Sequence, residues 1–268
     1  MSNTYTSSRY RSFYDERRPP VYAQEDGVVR AEMHSRYAEL RAFIERFNLG
    51  EKRCLEIGSS IGLFQDMVAD YWGTDIAESL GQHYHKPYSV AGNAHYPFED
   101  NMFDAIWTFR AFEHIPALQE ALLEVKRLLK PGGVVLFAPA WQCRPWAAEG
   151  YAVRPYRDFG MKGKLIKASI PLRNSVLWRS LFIFPKRMFR HLAFITGYRY
   201  ERSRYNKLKA NYEVFWTSDS DACNSIDPHD AILWFLGHGF ACLSHPSHLS
   251  AFLVRTGGII FRKDLARA

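Results

Sequence analysis

The stretch CLEIGSSIGLFQDMVADYWGTDI, residues 54–76, holds two short apolar runs, one containing Glu56 and the other ending on Asp75, with the glycine-bracketed turn Gly58–Gly62 between them. Each run has the length of a buried strand, and the turn opens what the spacing predicts as a helix over 63–69. A strand entering such a turn leaves backbone N–H groups unpaired at the helix start, and glycine lets that backbone approach a ligand closely. An acid at the tip of the next strand, nineteen residues past Glu56, is placed to accept both hydroxyls of a ribose. The unit therefore predicts a nucleoside-bearing ligand at the carboxyl ends of parallel strands.

Outward from this unit the pattern repeats. Tyr88–Ala91, Ala105–Phe109 and Val134–Ala138 read as further strands, Ile76–Tyr84 as a short helix, and Ala117–Leu129 as a longer helix stopped by Lys130-Pro131-Gly132-Gly133. Upstream, apolar residues at helical spacing predict a helix over Val28–Phe47, closed by Leu49-Gly50. Unbroken apolar strands separated by helices predict a parallel sheet covered on both faces. The alternation stops at Trp141 and resumes at Ser225, with a helix from Pro228 to Leu236 and a strand at Phe240–Leu243. Two last apolar runs, Ala251–Arg255 and Ile259–Arg262, flank Thr256-Gly257-Gly258 and read as a hairpin. The expected organisation is a flexible arm over 1–27, an α/β core over 28–141 and 218–268, and a basic, aromatic insertion over 142–217.

With 47% hydrophobic residues in 268, the chain is globular and long enough for one sizeable core plus an insertion. No run of about 18 apolar residues could span a bilayer, and the opening residues lack the apolar segment of a secretory signal. Four scattered cysteines without a CxxC pair predict free thiols, a reduced cytoplasmic setting and no zinc site. The net charge of +7 is unevenly spread: residues 144–209 carry 16 Lys/Arg against 3 Asp/Glu, whereas the remainder holds more acids than bases. An anionic partner is sought on that segment.

The turn G-S-S-I-G lacks the middle glycine of a dinucleotide fingerprint, and Glu56 would repel a pyrophosphate while suiting a cationic amine. S-adenosylmethionine, which carries an ammonium, a sulfonium and a ribose, suits both acids better. Residues 54–138 resemble the class I, Rossmann-like S-adenosylmethionine-dependent methyltransferases in LEIGSSIG, GTDI, NAHYPFEDNMFDAI, AFEHI and LLKPGGVVLFAP. The resemblance implies a seven-stranded, mostly parallel sheet with helices on both faces, an antiparallel last strand and an inserted helical lid. It further implies that Glu56 and the turn Gly58, Ser60, Gly62 face the methionine part, that Asp75 binds the ribose, and that Ile76 packs on the adenine. Asn93-Ala94 stands where an aspartate commonly reads the adenine amino group, and Phe109 would border the transfer site. Arg110 beside a sulfonium is unusual and is expected to face an acidic substrate.

Methyl transfer needs alignment of two reactants, and a base where a hydroxyl must lose its proton. His114, in Phe112-Glu113-His114-Ile115, is the candidate base, with a structural role as the alternative. Asp227-Pro228-His229-Asp230 reads as a helix cap rather than a metal cluster; His229 is kept as a substrate-facing candidate, with His245 and His248 nearby. For the basic insertion three readings stand: a solvated lid or homodimer contact, a pocket for a phosphorylated acceptor through residues such as Arg179 and Arg187, and docking on an anionic membrane. The expected function is O-methylation of a small-molecule or glycan acceptor, of the kind found in surface-glycan and secondary-metabolite pathways. The alternatives are a nucleic-acid methyltransferase, disfavoured because no recognition module or Asn/Asp-Pro-Pro-Tyr/Phe tetrapeptide is present, and an inactive cofactor-binding partner protein.

Overall fold

The structure is a computed structural model that describes residues 11–15, 30–92 and 94–265. Its centre is a seven-stranded sheet in the order β3-β2-β1-β4-β5-β9-β8. The strands are β1 (Arg53–Ile57), β2 (Asp70–Asp75), β3 (Tyr88–Val90), β4 (Phe103–Phe109), β5 (Leu129–Ala138), β8 (Phe240–Cys242) and β9 (Ile259–Lys263). β9 alone runs against its neighbours β5 and β8, so the sheet is parallel except for the last strand in the chain, as the resemblance implied.

Alternation along β4 shows how the sheet is covered. Ala105, Trp107 and Phe109 enter one buried cluster with Leu40, Phe43 and Ile44 of α2 (Tyr37–Phe47). Ile106 enters the other, joined by Phe103 from beyond a register break, with Leu118, Leu122 and Val125 of α3 (Leu118–Leu128) and with Ile232, Trp234 and Phe235 of α6 (Pro228–Gly237). Successive side chains of a strand point to opposite faces, so a continuous apolar run needs helices on both sides. Because β1 leads to β2 on one side and lies against β4 on the other, a crevice opens where the strand order reverses, at the carboxyl ends of β1 and β4.

Three local expectations are corrected. Residues 63–69 form successive turns rather than a helix: Gln65 and Met67 donate to the carbonyls three residues back, and Ala69 N–H donates to Gly50 O at 2.7 Å. The Gln65 side chain bonds the 83–85 segment, so donors of this stretch find partners outside a helical ladder. The helix expected from Val28 is interrupted: a 3-10 turn at Ala31–Met33 precedes α2, and residues 28–29 lie outside the described ones. The expected hairpin is replaced by a helix, α7 (His248–Leu253), started by a reciprocal capping box between Ser247 and Ser250. β9 pairs instead with β5 and β8.

The insertion contains two consecutive helices, α4 (Met161–Asn174) and α5 (Val176–Ile195), then β6 (Tyr205–Lys207), which pairs antiparallel with β7 (Asn224–Ile226) as the chain returns to the core. Of the N-terminal arm, residues 11–15 form the helical piece α1, with Phe13 buried.

Candidate active site

A cavity of ≈ 300 Å³ lies in the crevice, lined by the ends of β1, β2 and β4 and by the loops that follow them. Glu56 sits in its wall, 4% exposed, and accepts a 2.6 Å hydrogen bond from the Tyr71 hydroxyl. Burial pushes its carboxyl up to about 8, which favours the protonated form at neutral pH. A cation placed beside it would reverse that balance.

The turn after β1 is held from behind. Gly58 N–H and Ser59 N–H both donate to Thr74 O, and the Tyr84 hydroxyl donates within reach of Ser59 Oγ and Ser60 O. A Cβ on Gly58 would stand 2.3 Å from Ala111 Cβ, and one on Gly62 2.6 Å from the Tyr84 ring. The two glycines are thus required by protein packing and by their positive φ of 73° and 69°, beyond any approach to a ligand. Asp75 faces this turn: one carboxylate oxygen accepts Ser60 N–H at 2.9 Å and the other Ile76 N–H at 2.7 Å. Its carboxylate is therefore fixed in direction at the cavity edge, where paired hydroxyls could donate to it.

Ile76, Leu80, Ala91, Ala94 and Tyr96 give the adjoining wall an apolar lining suited to a flat heterocycle. Asn93, expected beside it, lies outside the described residues. Ser60, Ala94 and Arg110 all line the cavity with positive φ (48°, 61° and 49°), a region that costs a residue with a side chain roughly 1–2 kcal/mol. Backbone held in such conformations gathers at functional sites.

At the far end Phe109 packs edge-on against Phe64, with the His34 ring against both. Burial and the Arg110 charge lower His34 to about 4, so it is neutral near pH 7. The loop after β4 is pinned by the returning insertion: Cys223 and Asn224 N–H donate to Glu113 O, and Asn224 Nδ2 donates to the carbonyls of Phe112 and Ile115. This presents His114, 4% exposed, to the cavity, with Nδ1 3.2 Å from Asp221 and Nε2 3.6 Å from Glu113. Both carboxylates are fully buried, and burial raises Glu113 above its ordinary range. Tyr14 of α1 donates to Asp221, while Asp15 accepts from Ser79, so the N-terminal piece is held at the cavity, whose lining also includes Phe215 of the insertion and Ser218 and Asp219 just after it.

The structure thus brings Glu56, Gly58, Ser60, Asp75, Ile76, Ala94, Phe109, Arg110 and His114 to one cavity, with Gly62 in the turn behind it. It places three expected substrate residues elsewhere. Arg187 is 7% exposed and clamps Asp227 through two 3.0 Å hydrogen bonds while donating to the carbonyls of Phe252 and Val254. Arg179 donates to Gln142. His229 is fully buried in a row with His191 and His248, and burial with the nearby Arg187 charge lowers it to about 3. Arg187 and His229 join α5 to α6 and α7, and none of the three residues lines the cavity. Sequence reasoning missed His34, Glu113, Asp221 and Tyr14. The available signal was Ser218-Asp219-Ser220-Asp221, an acidic pair just before the core resumes.

The family described as "Methyltransferase domain" matches residues 55–137. Demethylmenaquinone methyltransferase of Staphylococcus aureus is 37% identical over 109 residues, which cover 37% of this chain and 43% of the relative. Tocopherol O-methyltransferase of Arabidopsis thaliana is 28% identical over 98 residues, covering 37% and 28% respectively. The chain spans less than half the length of these curated relatives. Among solved structures, phosphoethanolamine N-methyltransferase 2 of Haemonchus contortus is 26% identical, with 40% of this chain and 29% of that chain covered and a TM-score of 0.34.

Proposed function

We propose that this chain, whose residues 55–137 match the family described as "Methyltransferase domain", is a class I, S-adenosylmethionine-dependent methyltransferase that transfers a methyl group to the oxygen of a small-molecule acceptor, with His114 taking up the proton. The observation that carries this reading is the joining, in one cavity, of the Glu56–Asp75 pair to a buried histidine flanked by carboxylates.

When bound, S-adenosylmethionine supplies a sulfonium methyl, an electrophilic carbon with a good leaving group. The chain's own residues fit that molecule: Glu56 would hold the ammonium, Asp75 the ribose, and the Ile76–Ala94 wall the adenine. Asp221 lies 3.2 Å from Nδ1 of His114, within ion-pair range but without a hydrogen bond, and Nε2 lies 3.6 Å from Glu113, so the ring sits between two buried carboxyl groups at the cavity. A hydroxyl aligned there loses its proton as its oxygen meets the methyl carbon, and a positioned base contributes about 10²–10⁴-fold to such a step. Tyr14, Phe215 and Asp219 line the same cavity.

The acceptor is expected to be uncharged. Among the described residues Arg110 is the one Lys/Arg of the cavity lining, which also carries Asp75 and Asp219, and this balance favours an acceptor without a phosphate. The names of the relatives, for tocopherol and demethylmenaquinone, support a small-molecule acceptor.

Two variants test the reading. Asp75→Ala should weaken S-adenosylmethionine binding at least tenfold by calorimetry, since a hydrogen bond to a charged group contributes about 1.5–3 kcal/mol. His114→Gln should keep that affinity and slow turnover on a small-molecule panel by about 10²–10⁴-fold. Unchanged binding in folded Asp75→Ala would remove the cofactor assignment; full turnover in His114→Gln would return that residue to a structural role.

A further inference from the structure

α5 is an inside-out helix. Over its 20 residues the buried positions are Arg187 and His191, whereas Leu177, Leu181 and Phe189 are 80%, 69% and 72% exposed. Phe182, Phe184, Met188, Leu192 and Ile195 are also exposed. At helical spacing, positions 177, 181, 184, 188, 192 and 195 form one stripe and 182 and 189 widen it. A helix on a water-soluble surface shows the reverse arrangement.

The inversion is built in. Arg187 is bound to Asp227 and two carbonyls, Arg190 to Asp230, and His191 to His229 and His248. Rolling the helix to hide its apolar stripe would strip each of these polar groups of its partner inside the protein. α4 extends the same surface with exposed Met161, Leu165 and Leu172.

The charge on this face selects its occupant. Residues 161–200 contain nine Lys/Arg and no Asp or Glu. Lys162, Lys164, Arg173, Lys186 and Arg199 are exposed, and none forms an ion pair with a carboxylate among the described residues. A second copy of the chain would set these cations against their own kind. An anionic bilayer would accept both features at once, the apolar side chains entering the headgroup boundary and the cations meeting lipid phosphates. No described helix is long and apolar enough to cross a membrane, and α5 carries Arg179, Lys186, Arg187, Arg190 and Pro185, so a helix lying along the surface is the fitting arrangement. We infer that the outer face of α4 and α5 docks this protein on an anionic membrane surface. The inference does not depend on the methyl-transfer reading.

Flotation of the full chain with vesicles tests it. The protein should float with vesicles of equimolar phosphatidylcholine and phosphatidylglycerol, far less with phosphatidylcholine alone, and less as salt rises. The double variant F182S/F189S and the quadruple variant K162Q/K164Q/R173Q/K186Q should each weaken binding about tenfold or more while keeping the wild-type circular dichroism and S-adenosylmethionine affinity. Absence of wild-type binding to the anionic vesicles would overturn the proposal. So would a stable dimer in sedimentation that F182S/F189S dissociates, because a second copy would then be the occupant.

Discussion

β4 and α5 draw on nearly the same apolar residues and put them in opposite places. In β4, Phe103, Ala105, Ile106 and Trp107 are fully buried; in α5 eight apolar side chains from Leu177 to Ile195 are exposed, Ile183 and Phe194 are half-buried, and an arginine and a histidine face the protein. The difference lies in the neighbours. β4 lies between β1 and β5 with helices over both faces, so its apolar side chains meet apolar cover, while Asp104 pairs with Lys130. α5 meets α6 and α7 through Asp227, Asp230, His229 and His248, and those partners select its polar side. Apolar content alone therefore says little about what is buried. The decisive fact is which groups find partners, because an unpaired buried polar group costs more than an exposed leucine.

The comparison is sharpest where both elements are cut at their buried positions. Trp107→Ala should lose about 3–5 kcal/mol through the cavity it leaves. Arg187→Ala should lose a similar 3–5 kcal/mol for a different reason, since Asp227 would stay partly buried without its partner. Denaturant titration of both would check this, and an Arg187→Ala protein as stable as wild type would break the claim that polar anchors orient α5.

A smaller effect concerns the acid that β1 buries among apolar neighbours. Glu56 stays protonated below about pH 8. If its carboxylate receives the cofactor's ammonium, affinity should rise with pH up to that point, by up to about tenfold per unit, and binding near neutrality should release a proton. Calorimetry at pH 7 in two buffers of different ionisation heat measures that proton, and Glu56→Gln should abolish its contribution. Equal proton release from both forms would detach Glu56 from the ligand.

The smallest expected effect is on the outer face of α5. Phe189→Ser should change solution stability by no more than about 0.5 kcal/mol, as at an ordinary surface site. A thermal melt showing a large loss would mean that Phe189 is covered, and the contrast with β4 would fail.

Most strand positions, and Glu56, Asp75 and His114 at or after strand ends, were legible from patterns along the chain (apolar runs, turn residues and an acid at a strand tip), whereas the seven-stranded sheet came with the family resemblance. What stayed hidden depends on contacts between distant segments. His34 sits at the interruption of an expected helix, Tyr14 and Asp221 meet across 207 positions, and the glycines of the turn are dictated by distant residues, Gly58 by Ala111 and Gly62 by Tyr84. The basic insertion misled for the same reason. Its arginines looked available to an acceptor because their carboxylate partners, Asp227 and Asp230, lie 40 positions further on.

Asp227 serves two elements at once: its carboxylate caps His229 N–H at the start of α6 and receives both nitrogens of Arg187 from α5. Cap and clamp therefore share one charge, and neither can be released alone. Lifting α5 away from the core would fray the first turn of α6, whose buried side chains belong to the central cluster, so a local opening there would propagate inward. The insertion thus behaves as part of the same cooperative unit as the sheet edge it covers, not as a hinged flap.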